Sequence, residues 1–138
     1  MRTLLLVLGS FLLISCQNQS PENIKSNLTG YWEIKTVQSN HIQNKEYTFN
    51  NTIDYIEIKG ENGIRTKLQP NYDGTFSGNN TSENFTIEIV DNHLDLHYKT
   101  PFDQWTEKVK KATSDELIIE NKDGIEYHYV RYEPLNIE

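Results

Sequence analysis

The chain has 138 residues and a formal net charge of −7 at pH 7, which fits one acidic domain. An acidic chain without a basic cluster lacks the positive surface that nucleic acids and anionic lipid head groups require. The single cysteine excludes an internal disulfide and a cysteine-based metal site.

The first element is an export signal. Met1-Arg2-Thr3 precedes an apolar run from Leu4 to Ile14, which is shorter than the roughly 20 residues that a bilayer span needs. Leu13-Ile14-Ser15-Cys16 resembles the lipobox of bacterial lipoproteins. The resemblance implies that residues 1–15 are a signal peptide and that lipid on Cys16 holds the protein to a membrane. The alternative is an ordinary secretory signal that ends in a stray cysteine.

Loss of residues 1–15, which carry Arg2 and no acid, changes the net charge from −7 to −8. Residues 16–27 are polar beyond the cysteine, contain Pro21 and show no apolar period, so we predict a flexible tether. Gln17 is not the aspartate that often retains lipoproteins at the inner membrane. We therefore expect a lipid-anchored protein of the cell envelope, with the outer membrane favoured.

From residue 28 to 133, apolar and polar residues alternate in short runs separated by turn residues, as in β-strands. Short links join antiparallel neighbours, and a sheet of eight strands is large enough to close on itself. We predict an all-β, eight-stranded antiparallel up-and-down barrel, followed by a tail over 134–138. The eight runs are Tyr31–Gln38, Asp54–Lys59, Ile64–Gln69, Asn84–Val90, His93–Lys99, Trp105–Ala112, Glu116–Asn121 and Ile125–Tyr132.

The alternation also assigns faces. In the third run it places Ile64 and Leu68 inside the barrel, and Arg65 and Lys67 on the solvated outside.

The two ends of the predicted barrel carry a recognisable pattern. Leu28-Thr29-Gly30-Tyr31-Trp32 opens the first strand, and Tyr129-Val130-Arg131-Tyr132 closes the last. Together they resemble the lipocalins, in which a Gly-x-Trp on the first strand meets an arginine of the last. The resemblance implies that Trp32 plugs one end of the barrel and that Arg131 packs on it through a cation–π contact, with Gly30 in the matching glycine position.

The connection from Ser39 to Ile53 is similar to the lipocalin loop that partly covers the mouth of the cup, with Tyr47 and Phe49 as its apolar residues. The chain departs from true lipocalins in its short loops and in having no disulfide. It looks closer to the small lipocalin-like domains of bacterial lipoproteins.

Inward-facing aromatic residues are the candidates for ligand contact. An eight-stranded barrel either holds one small ligand or is filled by its own side chains, and both alternatives stay open. Glu107 falls on the inward face, where it needs a cation, water or ligand as partner unless a bulge turns it outward. The aromatic candidates are Phe85, Tyr98, Trp105, Tyr127 and Tyr129.

His93, Asp95 and His97 share one face of a strand, a spacing that can bind zinc or copper. That face is predicted to be the outside, and neighbouring strands offer no further histidines, so we expect a solvated surface and no metal or cofactor. No nucleophile elbow, phosphate loop or zinc-protease helix occurs, so we expect no catalysis.

The leading hypothesis is an envelope lipoprotein whose lipocalin-like barrel binds a small apolar or amphipathic molecule through its open end. The alternative is a filled barrel that acts through its surface as an interaction or inhibitor module for another envelope protein. The loops Asn44–Asn51 and Pro70–Asn84 would then form the contact.

Overall fold

A computed structural model describes residues 18–78 and 81–134 of the chain. These residues form one helix and ten strands. The helix is α1 (Pro21–Leu28), and the strands are β1 (Gly30–Gln38), β2 (Lys45–Glu46), β3 (Ile53–Lys59), β4 (Asn62–Pro70), β5 (Phe76–Ser77), β6 (Ser82–Val90), β7 (His93–Lys99), β8 (Gln104–Ala112), β9 (Glu116–Asn121) and β10 (Glu126–Arg131).

The eight long strands form a closed antiparallel barrel in the order β1-β3-β4-β6-β7-β8-β9-β10, and β10 pairs back with β1. Each predicted run coincides with one of these strands, so the predicted fold class is confirmed. Closure leaves no long unpaired edge among the eight strands, which removes the usual site of edge-to-edge aggregation.

Tight turns set the register of the meander. Asp91 and Asn92, between β6 and β7, both have positive φ angles, of 48° and 62°. Two consecutive residues of this kind match the twist of a β-hairpin, and Asn and Asp tolerate the conformation better than most residues. The short strands β2 and β5 lie in the two longer connections, where β2 pairs with β1 and β5 with β4.

The predicted faces of β4 are wrong. Gly63, Arg65 and Lys67 face the interior, since Arg65 pairs with Ile56 of β3 and Gly63 with Phe85 of β6, both of which belong to the core. Ile64 and Leu68 take the outer face and are only half-buried. The prediction failed because it assigned the apolar residues of this strand to the interior, whereas the barrel places a charge there.

The helix α1 closes the end of the barrel at which β1 begins. Ser20 is its N-cap, accepting a hydrogen bond from the Asn23 N–H, and Pro21 occupies the first turn. Ile24 and Leu28 lie one helical turn apart on the same face and are buried against the barrel core.

The flexible tether predicted over 16–27 is therefore wrong from Pro21 onward, because tertiary packing stabilises a short helix that has little intrinsic preference to form. The predicted signal peptide, Cys16 and the tail from residue 135 lie outside the described residues. Within the described ranges, no helix has the length and hydropathy needed to cross a bilayer.

Three residues tie the ends of the barrel together. The Trp32 indole is fully buried, and its Nε1–H donates to the Leu28 carbonyl at 2.8 Å. The Arg131 guanidinium lies 3.7 Å from the centre of the Trp32 ring and donates to the carbonyls of Asn27 and Thr29. Gly30 has a φ of +136°, and a Cβ there would clash with the guanidinium. These contacts fix the helix, the first strand and the last strand to one another.

Candidate functional site

The end of the barrel opposite α1 contains a cavity of about 330 Å³. It lies between the halves of the strands that are farther from α1, beyond the packed core. Its lining combines aromatic, aliphatic and charged side chains. They are Asp54, Arg65, Lys67, Thr81, Glu83, Trp105, Glu107, Ile119, Tyr127 and Tyr129.

A second cavity of about 370 Å³ adjoins the first and shares Asp54, Lys67 and Tyr129 with it. Tyr47 and Phe49, from the connection between β1 and β3, line this second cavity. The connection is held along β1 by the pairing of β2 and by a hydrogen bond from the Tyr47 N–H to the Lys35 carbonyl. The segment predicted to cover the mouth thus forms one wall of the open end.

Arg65 is the centre of the polar network in the first cavity. Its Nε and Nη2 donate to Oδ2 of Asp54 at 3.3 and 2.8 Å. Its Nη1 donates to Glu107 Oε2 at 3.1 Å and to the Tyr98 hydroxyl at 3.3 Å, and its Nη2 also donates to the Tyr129 hydroxyl. A buried guanidinium is stable only with such partners, so the residues of four other strands are tied to one cation.

Asp54 is the buried acid of β3 and bridges two cations. Oδ1 accepts from Lys67 Nζ at 2.8 Å, while Oδ2 accepts from Arg65. Burial by itself raises the pKa of Asp54, but the charges of Arg65 and Lys67 outweigh it and hold the pKa below its ordinary value. The two neighbouring cations therefore favour the ionised form of Asp54.

The pKa of Glu107 is shifted in the opposite direction. Burial raises its pKa above the ordinary value, and the charge of Arg65 offsets this only in part. The neighbouring Trp105 indole and Tyr98 hydroxyl also lower the pKa of Glu107, without outweighing burial. Trp105 stacks on Tyr98 with ring centroids 4.9 Å apart and planes 4° apart, and the Tyr98 hydroxyl accepts from the same Arg65 nitrogen as Glu107.

Four of the predicted contact residues line this cavity: Trp105, Glu107, Tyr127 and Tyr129. Tyr98 lies behind Trp105 and contributes its hydroxyl to the Arg65 network. Phe85 is not among the lining residues; it packs in the core against Tyr98. Glu107 faces inward and finds its cation in Arg65, without a bulge turning it out.

Sequence reasoning missed Asp54, Arg65, Lys67 and Glu83. One signal was available, because Asp54 is two residues from Ile56 and four from Ile58, and the period of a strand places all three on one face. The charges of β4 carried no comparable signal, since its faces follow only from the register with β3 and β6.

The histidine-rich face of β7 has a different geometry from a metal site. His97 lies between Glu88 and Thr106, each 2.8 Å from one of its ring nitrogens. His93 instead faces Asp95 at 3.4 Å. Among residues 18–78 and 81–134, no three histidine, aspartate or glutamate side chains are grouped to hold a metal ion.

The family model of the lipocalin-like domain matches residues 28–133. Among solved structures, a lipocalin-like protein from Bacteroides uniformis is 12% identical with a TM-score of 0.49, covering 77% of this chain and 99% of its own. A protein from Bacteroides eggerthii described as uncharacterized is 11% identical with a TM-score of 0.48, over 76% and 99%. Apocrustacyanin C1 is 12% identical with a TM-score of 0.46, over 80% and 64%. No curated protein matches the chain.

Proposed function

Because this chain belongs to the family of lipocalin-like domains, we propose that its barrel binds a small amphipathic molecule through the open end. The observation that carries the proposal is the cavity of about 330 Å³ above the Arg65 network. Its volume lies within the range of roughly 300–1,000 Å³ typical of small-molecule sites.

The lining suits a molecule with both apolar and polar parts. Trp105, Tyr127 and Ile119 offer apolar contact, while the carboxyl groups and Lys67 orient a polar group. The proposal includes no reaction: the interior acids Asp54 and Glu107 are both paired with Arg65.

Binding is tested with the neutral fluorescent probe N-phenyl-1-naphthylamine. Lys67 lines both cavities, so Lys67→Trp fills the open end, whereas Lys59→Trp places the same side chain at an exposed position near the closed end. We expect saturable fluorescence enhancement in the wild type and in Lys59→Trp, and loss of it in Lys67→Trp. Equal enhancement in both variants would place the probe elsewhere and contradict the proposal.

We further propose that lipid on Cys16 anchors the domain in the cell envelope, at the outer membrane. Gln19 hydrogen-bonds the backbone of Ala112 at the closed end and follows Cys16 by three positions. Three residues span at most about 11 Å. An anchor at Cys16 would therefore hold the closed end near the bilayer and direct the mouth away from it.

The anchor is tested by detergent phase partition of the full chain expressed in a bacterial host. We expect the wild type in the detergent phase and sedimenting with outer-membrane fractions, and Cys16→Ala in the aqueous phase. A wild type that partitions like Cys16→Ala would refute lipidation.

Exposed aromatic residues favour a second candidate, a surface that contacts another envelope protein. Phe49, Tyr72 and Phe102 are 79%, 94% and 98% exposed and lie on three connections around the open end. Aromatic side chains are enriched in protein interfaces. Pull-down with the wild type and with a variant carrying serine at these three positions tests it, since a partner retained equally by both would exclude this surface.

A further inference from the structure

The charges of the residues that line the cavity do not sum to zero. Asp54, Glu83 and Glu107 contribute three negative charges, against two positive charges from Arg65 and Lys67. Asp54 pairs with both cations and Glu107 pairs with Arg65. Glu83 makes no ion pair with any residue in the described ranges. The cavity therefore has an excess of one negative charge when its acids are ionised.

Arg65 has no donor left for a ligand. A guanidinium has five N–H groups. The structure gives five hydrogen bonds from Arg65, two to Asp54 and one each to Glu107, Tyr98 and Tyr129. A carboxylate or phosphate ligand would have to displace one of these internal partners. The buried cation of the site thus stabilises the protein's own acids and does not recruit an anionic ligand.

Aromatic rings stand beside the unbalanced acids. Trp105 and Glu107 are two residues apart on the inward face of β8, and Tyr127 lines the same cavity. Tyr98 covers one face of the Trp105 indole, and the indole also lines the cavity. An aromatic face near a carboxylate attracts an organic cation through the ring quadrupole and through direct charge pairing.

We propose that the cavity binds an organic cation, an amine or quaternary ammonium with a short apolar chain. The positive group lies near Glu83 and Glu107 and against Trp105 and Tyr127, and the chain follows the aliphatic wall at Ile119. This inference rests on the proposed function and narrows the ligand of the same cavity to one charge class. Burial disfavours the charge on Glu107, and a bound cation would compensate that cost.

The test compares three probes of equal chain length: octyltrimethylammonium, 1-octanol and octanoate. Each is titrated into the purified protein by calorimetry. We expect the ammonium to bind at least about tenfold more tightly than octanoate, with the alcohol between them. A preference for octanoate would overturn the cationic class while leaving the binding cup intact, and binding of none of the three would contradict the proposed function itself.

Variants locate the charge. Glu107→Gln and the less buried Glu83→Gln should each weaken ammonium binding several-fold, and by more than they weaken octanol binding. The matched control is Glu88→Gln, on the outer face of the same strand as Glu83, which should bind all three probes like the wild type. Melting curves establish that each variant is folded. Unchanged ammonium affinity in a folded Glu83→Gln and Glu107→Gln would overturn the inference.

Discussion

Arg65→Met tests whether the charged centre of the barrel is formed as described. The side chains of Arg65, Asp54 and Glu107 are 13%, 5% and 15% exposed. Methionine keeps the apolar stem but removes the only cation that Glu107 contacts among the described residues, while Asp54 keeps Lys67. The substitution therefore removes the ion pair of the buried Glu107 and leaves Asp54 with Lys67 as its remaining cation.

Removing one member of a buried ion pair typically costs 3–5 kcal/mol. Two features place the expected value near the lower end. Lys67 still compensates Asp54, and the pKa of Glu107 is already raised by burial, so this acid can take up a proton when Arg65 is lost. We expect Arg65→Met to lower the free energy of unfolding by about 3 kcal/mol at pH 7.

Urea unfolding followed by tryptophan fluorescence and circular dichroism measures this loss. Lys110→Met is the matched control, because Lys110 also bridges two acids, Glu120 and Glu126, but on the surface. Its cost should stay below about 1 kcal/mol. Adding Glu107→Gln to Arg65→Met should recover part of the loss. An Arg65→Met variant as stable as Lys110→Met would refute the buried network.

Three further predictions concern stability. Leu28→Ala should lower the free energy of unfolding by about 2–5 kcal/mol, because Leu28 is fully buried between α1 and the barrel; a loss no larger than that of exposed Lys59→Ala would mean that the helix is not docked. Gly30→Ala should cost more than Gly124→Ala in thermal melts, because both glycines have positive φ but only Gly30 faces the Arg131 guanidinium, and equal costs would contradict that contact. Asp54→Asn should remove stability that the wild type has above the ordinary pKa of 3.8 and loses as the pH falls through the depressed pKa of the folded state. Thermal melting of both proteins across pH checks this. A difference in melting temperature that stays constant down to strong acid would argue against an ionised Asp54.

The barrel was predictable because its strands follow the period of two and its turns carry the residues that tight hairpins require. The helix α1 was not, although Ser20-Pro21-Glu22 is a recognisable start signal. Its eight residues are mostly polar, and a helix this short has little stability in isolation. The helix becomes favourable because Ile24 and Leu28 are buried against the barrel core.

The site was predictable where aromatic residues alternate inward and hidden where charges do. Trp105, Tyr127 and Tyr129 follow the apolar face. Glu107 could be assigned to it because Trp105 and Val109, two positions to either side on β8, are apolar. The inward position of Arg65 could not be predicted in this way. On β4 the apolar side chains face outward, so a pattern that assigns apolar residues to the core reverses this strand.

The inward-facing charges of β4 help to explain why the end of the barrel opposite α1 is open. Arg65 lines the cavity, whereas Gly63, two residues closer to the α1 end, lets the Phe85 ring pack closely against β4. The Arg65 charge therefore marks the boundary between the packed core and the cavity. Apolar side chains above that level would desolvate the guanidinium and its acids further, which costs free energy unless new polar partners are supplied. A charged layer at this height therefore opposes filling of the barrel by its own side chains, and favours a polar or amphipathic occupant over an apolar plug.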